Sequence, residues 1–339
     1  MSQQVVVSVE NLTKIFRARQ ARRTSPLKML LSGQGLGQPD MSNVVVAVNQ
    51  VSFTMHQGEV LALVGESGSG KTSIGRLLTG IEKPTSGRIQ FHGASPSDRQ
   101  TLARRHRRVQ MVFQDPYAAL NPFNTVEYIL ARPIVNSQRV TQSEAVRRVP
   151  AILETVQLNP PELYLSKRPY ELSGGQRQRV VIARALATAP QIIVADEPVS
   201  MLDVSVRADV LKLLHELLAS GRVDAMLYIT HDLLSAKLLA SKVMVLYRGK
   251  VVEQGPTPVI LRHPDHPYTQ LLLSSIPNPH RNGVNRPPVS VATAASGALA
   301  GRGCPYAPRC PLAMERCQTD TPQLTEHEAD HWIACHAVG

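Results

Sequence analysis

No stretch of the 339-residue sequence approaches the uninterrupted apolar length of a membrane span, so a bilayer-crossing helix is not expected. The first residues, Met1-Ser2-Gln3-Gln4 followed by Val-rich alternation, lack the basic start and apolar run of a secretory leader, and the expectation is a cytoplasmic chain. Aromatic residues are scarce at 4%, and none interleaves the basic runs Arg17 to Arg23 and Arg104 to Arg108. A single-strand nucleic-acid groove needs such stacking platforms, so that class is disfavoured although the net charge is +11. The charge alone would suit nucleic acid, an anionic membrane face or phosphates equally. Cysteine is absent before position 304, and all four lie in the last 36 residues. With 43% apolar residues the chain can build one large domain and a smaller one.

Val5 to Glu10 alternates like a strand, and Val45 to Phe53 reads as one or two more. Between them residues 17 to 43 are basic, Gly-rich and turn-like, which suggests an exposed insertion. Gly87 to Phe91 and Val109 to Phe113 read as strands, whereas Asn124 to Leu165 places its apolar residues at helical offsets, a helical subdomain of about 120–178. A helix from near Ser173 to Leu186 precedes the apolar strand Ile192 to Ala195; Val204 to Leu218 is a further helix, and Met226 to Ile229 and Val243 to Tyr247 are strands. Gly249-Lys250 turns the chain into Val251-Val252-Glu253. Strands alternating with helices predict a mainly parallel α/β core. Pro277 to Gly303 reads as a linker or irregular wrap before the cysteines.

Gly65-Glu66-Ser67-Gly68-Ser69-Gly70-Lys71-Thr72 fits Gly-x4-Gly-Lys-Thr, between the apolar run Val60 to Val64 and a helix opening at Ser73. In that setting the N–H groups of the loop and helix start converge on phosphate oxygens. Lys71 neutralises the β- and γ-phosphates of a nucleotide triphosphate, and Thr72 offers its hydroxyl to Mg²⁺. Asp196 and Glu197 follow Ile192 to Ala195, at the strand end where an α/β sheet presents its ligand. Asp196 suits Mg²⁺, and Glu197 suits polarisation or deprotonation of the attacking water.

Ser173, Gly174, Gly175 and Gln176, after Leu172 and before Arg177-Gln178-Arg179, put N–H groups and a hydroxyl at a helix start, another phosphate site. With this motif the sequence resembles the ATP-binding subunits of ABC transporters. The resemblance implies an ABC-type P-loop NTPase fold with an antiparallel β subdomain and a helical subdomain. It also implies that the signature faces the γ-phosphate of ATP held by the opposite subunit's P-loop, so that one chain makes two half-sites. Gln114, after Val112-Phe113, is similar to the Q-loop glutamine and joins Thr72 and Asp196 as an implied Mg²⁺ ligand. Asp203 is similar to the D-loop aspartate and His231 to the switch histidine. Glu197, His231 and Gln114 form the implied catalytic set. Phe16 occupies the position that stacks on adenine, where Tyr is commoner, and Met201 replaces a small D-loop residue with little expected effect because Asp203 is kept.

The tail narrows the resemblance. His263 to Leu272 resembles the His-Pro-Tyr region of ATPases from oligopeptide and dipeptide importers, and Glu197 to Arg207 has the same flavour. The cysteines are spaced Cys304-x5-Cys310-x6-Cys317-x17-Cys335. Disulfides are disfavoured in the cytosol, and structural zinc usually draws close Cys pairs that are absent here. The longer spacing fits a [4Fe–4S] cluster, one thiolate per iron corner, with Zn²⁺ as the competing ligand; some members of the peptide-importer family resemble this chain in binding such a cluster. The expected division is an ATPase domain over 1–255 and a C-terminal extension over 256–339. The resemblance implies a homologous ATPase subunit, two membrane permeases and an extracytoplasmic binding protein as partners, at the cytoplasmic face of the membrane and without direct nucleic-acid contact. Two readings compete: a non-transport ABC ATPase acting on ribosomes or DNA, and an importer of nickel complexes or oligosaccharides. The first is disfavoured because the chain has neither a second fused ATPase unit nor a long coiled-coil or zinc insertion.

Overall fold

The computed structural model describes residues 4–17, 44–91, 108–275 and 303–338. The expected insertion beyond Arg17, most of both basic runs and the linker before Gly303 lie outside the described residues.

Apolar side chains at every position of a short run mark a strand covered on both faces. Strand β3 (Glu59–Val64) is such a run and is buried throughout. It pairs in parallel with β7 (Ala225–Thr230) on one side and β8 (Lys242–Tyr247) on the other. Beyond β7 lie β6 (Ile192–Asp196) and then β5 (Val109–Val112), both parallel. Alternation within β3 divides the core between the two faces. Val60, Ala62 and Val64 face one cluster with Ile193, Ala195, Met226 and Tyr228. Leu61 and Leu63 face the other with Val194, Leu227 and Ile229.

The second cluster is closed by helix α1 (Lys71–Thr79) and by a three-stranded antiparallel sheet ordered β2–β1–β4. Its strands are β1 (Val5–Arg17), β2 (Val44–His56) and β4 (Ser86–Phe91). Over the opposite face lie α2 (Val126–Gln138), α3 (Gln142–Thr155), α4 (Gly174–Leu186), α5 (Val204–Ala219) and α6 (Leu233–Leu239). The helical stretch read from 124 to 165 is divided: Arg139 ends α2 in the left-handed conformation, and Thr141 starts α3 by accepting the Glu144 N–H. A helix ended and restarted within three residues folds back as an antiparallel pair.

The expected turn at Gly249-Lys250 leads into the tail. Strand β9 (Lys250–Pro256) runs antiparallel to β8, followed by α7 (Thr257–Arg262) and α8 (Pro267–Ser274). Two short strands, β10 (Thr325–Glu328) and β11 (His331–Ile333), then extend the large sheet to eight, with Trp332 opposite Gln254 and Ile333 opposite Glu253. Glu253 is fully buried at this seam. Its Oε1 accepts the Asp265 N–H at 2.9 Å and lies 2.9 Å from His331 Nε2, and its Oε2 accepts the His266 N–H at 3.2 Å. Glu253, Asp265 and His331 are the one set of three potential metal ligands within 4.8 Å of one another among the described residues. Because the carboxylate already has three partners, the group acts as a lock between β9, the start of α8 and β11. Tyr247, Tyr268 and Tyr306 close the same seam, with ring centroids 4.6 to 5.4 Å apart.

Candidate functional site

The C-terminal ends of four adjacent parallel strands converge on one place, as an α/β sheet arranges its ligand site. The phosphate-type loop leaves β3, Gln114 follows β5, Asp196 ends β6 and His231 follows β7. Gly70 caps α1 at φ 106°, and a Cβ there would stand 2.1 Å from the Ala47 carbonyl oxygen, so only glycine fits. Gly249 N–H donates to Ser69 O at 2.8 Å and pins the loop from the β8–β9 turn. Lys71 Nζ donates to Gly65 O and Glu66 O, each at 2.8 Å. Burial lowers the Lys71 pKa, opposed by the carboxylates of Glu197, Asp196 and Glu66. Ser67 and Gly68 form the exposed tip of the same loop, and Thr72-Ser73 open α1.

Thr72 Oγ1 donates to Asp196 Oδ1 at 3.2 Å. Burial raises the Asp196 pKa, with the Thr72 bond pulling it back. A buried carboxylate beside a hydroxyl is a hard oxygen pair of the kind Mg²⁺ takes. Glu197 has φ 46°, uncommon for a residue with a Cβ. Its N–H donates to Ile229 O at 2.9 Å, and its carbonyl accepts from Ser200 N and Oγ. That backbone aims the carboxylate between two neighbours. Gln114 Nε2 donates to Glu197 Oε2 at 2.9 Å, and His231 Nδ1 lies 3.2 Å from Glu197 Oε1. A carboxylate so held can accept a proton from water and share it with the imidazole.

Ser173, Gly174, Gly175, Gln176 and Asp203 stand outside this hydrogen-bonded group. The Ser173 hydroxyl accepts the Gln176 N–H, while Gln176 Oε1 accepts the Ser173 N–H. This capping box uses Ser173 as an acceptor and leaves its proton to donate. A Cβ on Gly175 would meet Val206 Cγ1 at 2.6 Å, which packs the signature helix against the start of α5. Asp203 precedes α5, and its carbonyl accepts from Val206 and Arg207 N–H. Buried Arg177 donates to Pro169 O and Leu172 O and lies 3.9 Å over the Tyr117 ring, and Arg184 donates to Ala119 O. The segment after Gln114 is thereby tied to α4. Phe16 is partly exposed near the end of β1, opposite Val45, two residues from the Ala47 carbonyl that abuts Gly70.

The four cysteines, all free, are brought together. Cys304 N–H donates to Cys317 O at 2.8 Å, and the Cys310 sulfur feels the charges of Cys335, Cys304 and Cys317. Burial pushes the Cys304 and Cys310 thiols up, while backbone N–H groups of Tyr306 and Ala307 on Cys304, and of Leu312 on Cys310, favour the thiolates. No three of the sulfurs fall within 4.8 Å of one another. Zn–S bonds of about 2.3 Å would place tetrahedral thiolates about 3.8 Å apart, closer than three of these sulfurs stand.

Sequence reading missed two contacts that reach the phosphate-type loop from the tail. Arg309 forms a two-bond pair with the Glu66 carboxylate, and Tyr268 OH accepts the Glu66 N–H at 2.9 Å. With partners 202 and 243 residues apart, no local pattern signals them.

Residues 48–200 match the ABC transporter family model, and residues 252–317 match that of the oligopeptide/dipeptide transporter C-terminal region. The chain is 41% identical over 312 residues to a protein of Brucella ovis described as a peptide import ATP-binding protein, covering 90% of this chain and 97% of that one. It is also 41% identical over 297 residues to the dipeptide transport ATP-binding protein DppF of Haemophilus influenzae, covering 87% of this chain and 90% of that one. Among solved structures, the dimeric ATP-binding cassette MJ0796 bound to ADP and Pi aligns with a TM-score of 0.60 at 26% identity, over 74% of this chain and 98% of that one. The cassette cbiO1 from Clostridium perfringens, part of the complex cbiONQ, aligns with a TM-score of 0.60 at 25% identity, over 77% of this chain and 97% of that one. The chain belongs to the ATP-hydrolysing, ATP-binding subunits of ABC transporters and carries the C-terminal region of the oligopeptide/dipeptide branch.

Proposed function

We propose that this chain energises import of peptides by binding and hydrolysing ATP at the cytoplasmic face of a membrane transporter. The observation that carries the reading is Glu197 held between Gln114 and His231 beside the Thr72–Asp196 pair, in a chain that continues into the peptide-importer tail. Lys71 and the N–H groups of the loop from Ser67 to Ser73 hold the triphosphate with Gly65 at its start, and Phe16 stacks on adenine. Thr72, Asp196 and Gln114 hold Mg²⁺, which when bound neutralises charge developing on the phosphates. Glu197 orients the attacking water and takes its proton, and His231 keeps the carboxylate in place. Ser173, Gly174, Gly175 and Gln176 serve the ATP of a homologous partner subunit, with Asp203 at the junction; the open N–H groups and dipole of α4 suit an anion.

No helix among the described residues is long and apolar enough to cross a membrane; in this reading separate permeases form the path, as the match to the peptide-transporter family supports. Tyr117, Phe123 and Tyr128 are exposed beside Gln114 and the helical layer. A groove is lined by Ile81, Gln110, Phe113, Ala119, Val181 and Arg184. A groove of mixed apolar and polar lining next to a catalytic loop suits a permease segment that moves with the state of the ATP site. An extracytoplasmic binding protein completes the system.

The reading places residues 1–255 in ATP chemistry and 256–339 in a tail that holds a [4Fe–4S] cluster on Cys304, Cys310, Cys317 and Cys335. Anaerobic purification with iron, sulfide and zinc analysis tests the cluster: about four irons and four sulfides per chain are expected, and one zinc without colour rejects it. Reconstitution with its permeases and binding protein tests the function. Glu197→Gln is expected to abolish ATP-driven peptide uptake and to lower ATP turnover by roughly 10²-fold or more while ATP still binds. Uptake of nickel complexes or oligosaccharides in place of peptides would overturn the substrate and leave the ATPase.

A further inference from the structure

Glu66, the second residue of the phosphate-binding loop, carries a negative charge on the loop that receives a polyanion. Its charge acts on the Lys71 ammonium, behind the larger effects of Glu197 and Asp196, and its side chain is 42% exposed. Left alone it would compete with the triphosphate for Lys71 and repel it. The two-bond pair with Arg309 removes that charge: Nη1 donates to Oε2 at 2.9 Å and Nη2 to Oε1 at 3.0 Å. Such fork geometry is the specific carboxylate partner that arginine alone supplies.

Arg309 is itself aimed. It ends the turn Ala307–Arg309 between Cys304 and Cys310, where its N–H donates to Tyr306 O and the Cys310 N–H to Ala307 O. Its guanidinium lies near the faces of Tyr247 and Tyr306, 6.0 and 5.9 Å from the ring centroids. Tyr268, in edge contact with Tyr247, accepts the Glu66 backbone N–H. The tail therefore holds Glu66 at both its carboxylate and its backbone.

We propose that Arg309 is a positioning residue of the ATP site, which neutralises and fixes Glu66 so that the bound triphosphate meets no unpaired carboxylate. The tail thus takes part in nucleotide binding and is not merely appended to the ATPase core. This role rests on the proposed ATP site and does not depend on which solute is carried.

A docking role alone would make removal of either partner harmful, and removal of both no better. The electrostatic role predicts rescue. MgATP affinity, KM and kcat are measured on the full chain, with thermal melts as the folding control. Arg309→Ala is expected to raise KM and Kd for ATP about tenfold, the scale of one uncompensated charge near the site, with kcat within about threefold of the parent. Adding Glu66→Gln to Arg309→Ala is expected to return KM to within about threefold of the parent. An unchanged KM in Arg309→Ala, or a double variant as weak as Arg309→Ala, overturns the proposal. Should Arg309→Ala not fold, Arg309→Lys and Arg309→Gln carry the comparison. Lys keeps KM near the parent and Gln raises it; equal values for the two reject the electrostatic role.

Discussion

Glu197 depends on its neighbours more than its position at a strand end implies. Its left-handed backbone is costly for a residue with a Cβ, on the order of 1 kcal/mol or more, and is held by the bonds to Ile229 and Ser200. Its two oxygens then divide between Gln114 and His231. Removing the imidazole frees one oxygen without touching the P-loop. His231→Ala is therefore expected to lower kcat roughly ten- to a hundredfold while KM for ATP stays within about threefold. A raised KM with unchanged kcat would assign His231 to binding instead. Lys71, Thr72, Asp196 and Glu197 were legible in the sequence because each motif is contiguous. The Gln114–Glu197 bond joins the ends of β5 and β6 across 83 residues, and became legible only through resemblance. The Arg309–Glu66 pair had neither route.

Elements were legible where the chain is apolar and long enough to show a period. The parallel strands stand out because burial on both faces leaves uninterrupted Val, Ile and Leu. Strand β11 has three residues, too few for alternation to register, and its pairing is fixed by the distant Glu253. The signature helix shows a similar hidden constraint: Gly175→Ala keeps helix propensity yet drives a methyl into Val206. Expected is a fall of at least tenfold in dimer-dependent ATPase with unchanged ATP binding by the isolated chain, measured as kcat against Kd. Helix α8 starts on another such device, for His266 Nδ1 accepts the Tyr268 N–H at 3.0 Å. That bond requires neutral imidazole, and burial lowers the His266 pKa to about 4. The unfolded chain, at the ordinary histidine value, takes up the proton first as pH falls. Stability is therefore fully present above about pH 6.5 and declines toward pH 4, by on the order of 3 kcal/mol across the window. His266→Asn, which can cap without titrating in this range, should flatten the melting temperature between those pH values. A slope equal to that of the parent removes His266 as the cause.

At the scale of the whole molecule, the tail completes the eight-stranded sheet and covers the β9 edge that would otherwise be open to pairing. Its attachment rests on Glu253, a fully buried carboxylate. Two of its partners are N–H groups at the start of α8, and the third is the His331 ring from the far end of the chain. His331 is itself 1% exposed, and its Nδ1 is 3.7 Å from Asp265 Oδ2. Removing one member of a buried polar pair leaves the other short of a partner, at about 3 kcal/mol. His331→Ala should therefore lower the melting temperature by roughly 5 °C or more and raise amide exchange along β9 and β11 together. Two causes could give that loss, an empty volume or an unmatched charge, and a second substitution separates them. Glu253→Gln keeps the volume and removes the charge, so the double variant Glu253→Gln/His331→Ala should melt above His331→Ala if charge pairing holds the seam. If the double variant melts lower still, Glu253 holds the seam as the acceptor of the Asp265 and His266 N–H groups, one of which glutamine cannot satisfy, and not as the charge partner of His331.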